Sequence, residues 1–136
     1  MEQSWTTQLL GRSVEEVERW EALPYVVKLS GGYRVQIESL WRLLADGTLA
    51  RTSEDDGQLF GHKHPVNAAL ELSKRLVGCS LGSVEVVPGT ADLILGFGAY
   101  VLQVVSTSAG YEAWQVEGPQ GTVAVGQGGG NVAVWG

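Results

Sequence analysis

Residues 24–40 read PYVVKLSGGYRVQIESL, two apolar runs separated by the turn Ser30-Gly31-Gly32. Glycine tolerates the positive φ angles that a tight hairpin turn requires. The second run alternates apolar with polar side chains, which is typical of a half-buried strand. The stretch therefore predicts an antiparallel hairpin whose apolar residues face the core, with Arg34, Gln36 and Glu38 facing outward.

The sequence predicts the secondary structure of the segments on either side of the hairpin less clearly. The strand pattern continues through residues 41–44 to the turn Asp46-Gly47, and residues 48–51 are predicted to return as a short strand. Before the hairpin, Ser13 and Glu16 match the capping box of a helix. Residues 9–20 are short enough to fit a bent strand equally well, so the pattern leaves both structures open.

One principal helix is predicted at about residues 65–77. Pro65 suits the first helical position, where its missing N–H is not needed, and Gly78 is a plausible stop. Lys74 and Arg75 fall in the last turn, where cations favour the helix dipole. The predicted apolar face consists of Val66, Ala69, Leu70 and Val77, widened by Leu72 and Leu76.

The last 61 residues, 76–136, contain no lysine or arginine. Glycine-rich turns separate short apolar runs, and connections this short join antiparallel strands. The predicted strands are residues 83–87, 92–97, 100–106, 112–117, 122–125 and 132–135.

Several of these runs are apolar on both faces, as in Leu93-Ile94-Leu95, whereas a sheet with one wet face should alternate. Both faces should therefore be covered, by the helix on one side and by sheet packing, barrel-like closure or another chain on the other. We expect an α+β fold in a single domain, residues 1–136. Its sheet is mostly antiparallel and strongly curved, either split or barrel-like, and the principal helix packs on one face.

Charge and cysteine content narrow the classes of partner and compartment. The formal net charge of −6 argues against nucleic acid and anionic membranes, because both attract basic surfaces. No apolar run is long enough for a membrane helix, and the start does not resemble a secretory signal. With Cys79 as the one cysteine, we expect a cytoplasmic protein.

Metal and cofactor sites are not indicated. His62 and His64 are the two histidines, and a zinc or iron site needs three or four ligands. The glycine-rich residues 126–130 lack the Lys-Ser/Thr of a phosphate loop. We therefore expect no metal and no cofactor.

The residues that could bind a partner are acids and exposed aromatics. A tryptophan or tyrosine flanked by acids is a good hot spot for a protein partner. The candidate partner-binding residues are Glu38, Glu54, Asp55, Asp56, Tyr111, Glu112 and Trp114. No catalytic residue is assigned, although Glu38 or Glu112 could serve as the acid of a cavity within the curved sheet.

Several motifs together resemble a family of small bacterial proteins of unknown function. They are residues 10–17, 36–39, 92–97, 102–104, 111–114 and 129–135. Members of that family are similar to immunity proteins of polymorphic toxin systems. The resemblance implies a protein partner, basic and toxin-like, and carries over no catalytic residue.

Three functions follow as hypotheses. The first is a non-catalytic, immunity-type protein that neutralises a partner protein. The second is a homo-oligomeric structural protein, such as a homodimer that pairs its charge-depleted strands. The third is a small-molecule-binding protein or enzyme with a cavity in the sheet.

Overall fold

The computed structural model describes residues 5–135, in which eleven strands form two antiparallel sheets. The α+β prediction is confirmed in its split form, since the sheets are not closed into a barrel. The first sheet has the order β1-β2-β3-β9-β10-β11, and the second β5-β4-β8-β7-β6. The strands are β1 (Val14–Arg19), β2 (Tyr25–Leu29), β3 (Tyr33–Ile37), β4 (Leu40–Ala45), β5 (Thr48–Thr52), β6 (Ser83–Val86), β7 (Leu93–Phe97), β8 (Tyr100–Val105), β9 (Trp114–Gly118), β10 (Gly121–Gly126) and β11 (Val132–Val134).

The two sheets share one apolar core. Tyr25 of the first sheet meets Trp41 of the second edge to face, with ring centroids 5.3 Å apart. The fully buried residues at this contact include Trp41 and Leu43 of the second sheet and Val35 and Trp114 of the first. Full burial of one such side chain contributes about 1.5–3 kcal/mol, so the contact between sheets is a main source of stability.

The hairpin predicted at residues 24–40 is confirmed, with Leu29 opposite Tyr33 across the turn, but its second strand ends early. Tyr25 pairs with Ile37 at the open end, so no residue of β2 remains to pair with Glu38. The chain crosses to the other sheet at Glu38 and Ser39, and Leu40 pairs there with Val105. The strand pattern that runs through residues 33–44 is therefore two strands in different sheets.

The outward orientation predicted for Arg34, Gln36 and Glu38 leads to different degrees of burial. Glu38 is exposed and Arg34 is partly exposed. Gln36 is only 8 % exposed, although it faces away from the core. It lies between Val26 and Gln115 of the neighbouring strands, whose side chains crowd the middle of this face.

The ambiguous residues 9–20 form strand β1, preceded by a 3-10 helix at Trp5–Leu9. A bulge interrupts the pairing with β2 between Val14 and Glu16. The extra residue places Val14 and Val17 on the same face, and both are buried. This spacing of three is what made the segment look helical in sequence.

The helix α1 spans Ala68–Leu76, so the start predicted at Pro65 is wrong. Asn67 is the true cap, because its side-chain oxygen accepts the N–H of Leu70 at 3.1 Å. The helix packs mainly against β1 and also touches β5. Within residues 5–135, no helix has both the length and the apolar character needed to cross a membrane.

The predicted apolar face of the helix is partly wrong as well. The buried residues are Ala68, Leu72 and Leu76, whereas Leu70 and Val77 are 48 % and 45 % exposed. The three buried positions recur every four residues and form the stripe that faces the core.

The predicted C-terminal strands are confirmed, each within two residues of its observed bounds. Their doubly apolar runs alternate in space. In β7, Leu93, Leu95 and Phe97 point into the core, while Ile94 lies half-buried on the outer face.

Candidate functional site

The chain passes between the two sheets twice at one end of the molecule. Residues 38–39 connect β3 to β4, and residues 106–113 connect β8 to β9. The two connections are bonded together, since the Glu38 N–H donates to the Ala113 carbonyl at 2.9 Å and Ser39 Oγ donates to the same oxygen at 3.3 Å. Between them lies a cleft of about 640 Å³.

The local turn at Ser108 directs two candidate residues outward. Ser108 Oγ accepts the N–H groups of Gly110 and Tyr111, each at 3.0 Å. Tyr111 is consequently 82 % exposed, and Glu112 is exposed beside it. Both side chains line the cleft together with Glu38. The structure thus brings Glu38 next to Tyr111 and Glu112, which follow it by more than 70 positions in the sequence.

A second depression of about 710 Å³ continues from the first, and both are lined by Glu38, Ser39 and Thr107. We call the joint groove the acidic cleft. Its further lining residues are Arg19, Ala22, Leu23, Tyr25, Leu40, Ser53 and Glu54. Leu23 is 49 % exposed, so the groove has an apolar rim on this side.

The electrostatic character of the cleft is set by Glu38, Glu54 and Glu112. Within residues 5–135 none of these carboxylates takes part in a salt bridge or a side-chain hydrogen bond. Arg19 is the one cation among the lining residues, and its guanidinium Nη1 lies 2.6 Å from Asp56 Oδ2. The cleft therefore carries an uncompensated negative charge.

Tyr25 contributes a buried hydroxyl at the floor of the cleft. The residue is 2 % exposed, and its hydroxyl has no hydrogen-bond partner among the described residues. Burial raises the pKa of Tyr25, although the Arg19 guanidinium, centred 4.9 Å from the ring, opposes the shift. The hydroxyl thus stays protonated at neutral pH and can donate a hydrogen bond.

The acidic loop at residues 54–56 divides into two kinds of carboxylate. Asp55 accepts the Thr52 N–H at 3.0 Å, and Asp56 accepts the Ala68 N–H at 3.0 Å while it binds Arg19. The bond from Ala68, followed by the bond from Arg19, holds the pKa of Asp56 below its ordinary value. Asp55 and Asp56 therefore stabilise their own chain, and Glu54 alone lines the cleft.

Trp114 was a candidate for partner binding, and the structure corrects that prediction. Its side chain is fully buried, stacks on Trp5 with ring centroids 5.5 Å apart, and donates from Nε1 to the Ala91 carbonyl at 2.7 Å. The reason is its position at the start of β9, opposite Ile37 on the inner face. A partner cannot reach it in this fold.

Other lining residues carry no local sequence signal. Arg19, Leu23 and Tyr25 come from the turn between β1 and β2 and its flanking strand ends, Thr107 comes from the connection between β8 and β9, and only the topology brings the two segments together. The histidines lie elsewhere, in a groove that they share with Leu59 and Phe60. The described residues contain no group of three or more His, Cys, Asp or Glu placed to hold a metal.

Comparison with known protein families gives a match that spans nearly the whole chain. The model of a family of unknown function (DUF6188) matches residues 5–136. No curated protein matches the chain significantly, and no solved structure does.

Proposed function

The chain belongs to the family of unknown function DUF6188, and on that premise we propose that it is a non-catalytic protein-binding domain. Its binding site is the acidic cleft, and its partner is a protein with a basic surface. The observation that carries the proposal is the grouping of Glu38, Glu54 and Glu112 around one groove with no cation bonded to them.

Electrostatics favours a basic partner. The chain has a formal net charge of −6, and the carboxylates of the cleft add a local negative field. Complementary charge accelerates association and excludes partners of the wrong sign. An arginine or lysine of the partner could donate charge-assisted hydrogen bonds to a carboxylate of the cleft.

Tyr111 and Leu23 supply the apolar component of the site. An exposed tyrosine offers a large, rigid contact area at small entropic cost, which is why tyrosine is enriched among hot spots. Tyr111 is 82 % exposed, and the backbone at its own N–H is already fixed by Ser108. The aromatic ring is therefore presented without ordering a free loop.

The open shape of the groove supports a macromolecular partner over a small substrate. Small-molecule sites are usually enclosed and bury most of their ligand. Here Glu38 and Glu112 are both exposed, and the groove opens to solvent along its length. The alternative of an enzyme with a general acid at either position has less support, because neither carboxylate is desolvated.

We further propose that the binding is of the immunity type, in which a small bacterial protein neutralises a basic toxin. The support is the resemblance of residues 10–17, 111–114 and 129–135 to a family of small bacterial proteins of unknown function whose members are similar to immunity proteins. In this form of the proposal the cleft covers a positively charged surface that the toxin needs for its own activity.

The test is capture of host proteins by the immobilised full chain, followed by affinity measurement with the purified partner. The double variant Glu38→Gln/Glu112→Gln removes two charges from the cleft. The control Glu15→Gln/Asp46→Asn removes two charges from exposed acids elsewhere that bind no cation. We expect the cleft variant to lose affinity by about 10-fold or more at low salt, and the control to lose little.

The immunity-type form adds a second measurement. Co-expression with the captured partner should relieve that partner's toxicity with the wild-type chain and the control, and less so with the cleft variant. Protein binding by the cleft is refuted if the wild-type chain enriches no basic protein, or if both double variants bind equally well. A partner that binds but is not toxic would refute only the immunity-type form.

A further inference from the structure

The outer face of the second sheet carries a row of five side chains across all its strands. Cross-strand pairing aligns Thr52, Arg42, Gln103, Ile94 and Glu85 in that order from β5 to β6. The row has a cation near one end and a carboxylate at the other. Glu85 is exposed and takes part in no ion pair within residues 5–135.

The guanidinium of Arg42 is held in place without being neutralised. Its Nε and Nη2 donate to Gln103 Oε1 at 2.9 and 2.6 Å, so it lies along the row above β8. An amide oxygen carries no charge to compensate it. The two hydrogen bonds fix the orientation of Arg42 before any partner binds, and they leave its Nη1 for another acceptor.

Aliphatic side chains surround this row. They are Leu40, Leu44, Leu49, Ile94, Val101 and Val105, and each is at least partly exposed. The helix packs against β1 and β5, and the central strands of this sheet contact their own neighbours. Within residues 5–135 the helix makes no extensive contact with β4, β8, β7 or β6. Leu49 is 53 % exposed and the other five residues are partly exposed, so adjacent apolar side chains are open to solvent, as they are at interaction sites.

We propose that this face binds a second copy of the chain, related to the first by a twofold axis parallel to the strands between β8 and β7. Such an axis places β4 against β6 of the other copy, and β8 against β7. Arg42 then faces Glu85 of the second copy, and the symmetry repeats the pair. Within one chain Arg42 and Glu85 are three strand spacings apart, about 14 Å, so they cannot pair internally.

The same rotation decides what lies opposite Val101 in the neighbouring row. Val101 pairs with Gly96, and the axis places Val101 above Gly96 of the second copy. Ser83 Oγ occupies the space that a Cβ of Gly96 would take, so no depression is open there. In the dimer Val101 packs on the small residues Gly96 and Ser83 of the opposite face, and the twofold axis repeats this contact, as in any isologous interface.

The size of the face predicts a weak dimer. The axis sets four strands of each copy against each other, β4, β8, β7 and β6, which span about 19 Å, and the three rows of side chains span about 20 Å. The total buried area is then about 800 Å², which is the size of a weak, transient interface. The dimer should therefore form reversibly at micromolar concentrations or above. Leu40 belongs to the edges of both surfaces, whereas the centre of the dimer face, which consists of Arg42, Glu85, Val101 and Gly96, does not line the acidic cleft. The variants that test one proposal therefore leave the charged residues of the other unchanged.

The test is sedimentation velocity of the full chain at concentrations from about 10 µM to about 1 mM. Arg42→Glu and Glu85→Arg each bring two like-charged pairs together in the dimer. We expect either variant to weaken self-association at least about 10-fold. An equimolar mixture of the two variants should form a heterodimer, because every facing pair is then opposite in charge. The double variant Arg42→Glu/Glu85→Arg should dimerise like the wild type.

The control is Glu15→Arg, which reverses an exposed acid on the first sheet and should leave self-association unchanged. Circular dichroism and thermal unfolding of each variant establish that it is folded. The proposal is overturned by a wild-type chain that stays monomeric at about 1 mM. It is equally overturned by a dimer that the two reversals do not weaken, or by a mixture of single variants that fails to associate.

Discussion

The carboxylates near the acidic cleft fall into two groups that differ in what their oxygens accept. Asp55 and Asp56 accept backbone N–H groups, and Asp56 also binds Arg19. Glu38, Glu54 and Glu112 accept nothing from residues 5–135. Glu54 and Asp56 are two residues apart in one loop, so the difference arises from where each side chain points rather than from the local composition.

The comparison separates carboxylates that fold the chain from carboxylates that remain for a partner. A buried or bonded acid costs stability when it is removed, because its donors are left unsatisfied. An exposed, unpaired acid costs almost nothing. Stability measurements on matched variants can therefore test the assignment of each acid before any partner is known.

The largest difference is expected between alanine substitutions at residues 54 and 56. Asp56→Ala leaves the Ala68 N–H at the start of the helix without its acceptor and Arg19 without its counter-ion. Bonds to charged groups contribute about 1.5–3 kcal/mol, so Asp56→Ala should lower the free energy of unfolding by about 2 kcal/mol. Glu54→Ala should change it by less than about 0.5 kcal/mol. Urea titrations measure both, and equal losses would remove the distinction between the two groups.

The same distinction should appear in the dependence of stability on pH. The pKa of Asp56 is lowered in the folded state. The contribution of Asp56 to the free energy of unfolding is therefore complete above the pKa of an unfolded aspartate, and it is lost as the pH falls from there through the lower folded-state pKa. Between about pH 5 and pH 3, Asp56→Asn should lose less stability than the wild type. Glu54→Gln removes no bond and should follow the wild-type curve. Thermal unfolding at several pH values measures this, and parallel curves for all three proteins would contradict it.

The strands of the fold could be predicted from sequence because alternation and glycine turns are local signals. The sheet crossing at Glu38 and Ser39 could not, since only these two polar residues interrupt the apolar pattern and no glycine or proline marks the change of sheet. Only the length of the partner strand β2, which begins opposite Ile37, ends β3 there. The helix start was missed because Pro65 fits a first turn, whereas the true cap depends on Asn67 and on the distant Asp56.

The candidate site was predictable only in part, because residue type is read from the sequence whereas the grouping of residues depends on the topology. Glu38, Tyr111 and Glu112 were identified by residue type, and the two crossings between the sheets then place them together. The sequence could not distinguish Tyr111 from Trp114, which are three residues apart. The β9 register decides that one is 82 % exposed and the other fully buried.

The smallest expected effect concerns the cleft itself. Like charges around one groove repel each other, so Glu38→Gln/Glu112→Gln should leave the free energy of unfolding unchanged or raise it by up to about 0.5 kcal/mol at low salt. Because salt screens exposed charges, this difference should vanish at about 1 M NaCl, where the Debye length is about 3 Å. Glu15→Gln/Asp46→Asn serves as the matched control in the same urea titrations. A loss above about 1 kcal/mol in the cleft variant would mean that one of these carboxylates is bonded within the fold, and the cleft would then no longer differ from the Asp55 and Asp56 group.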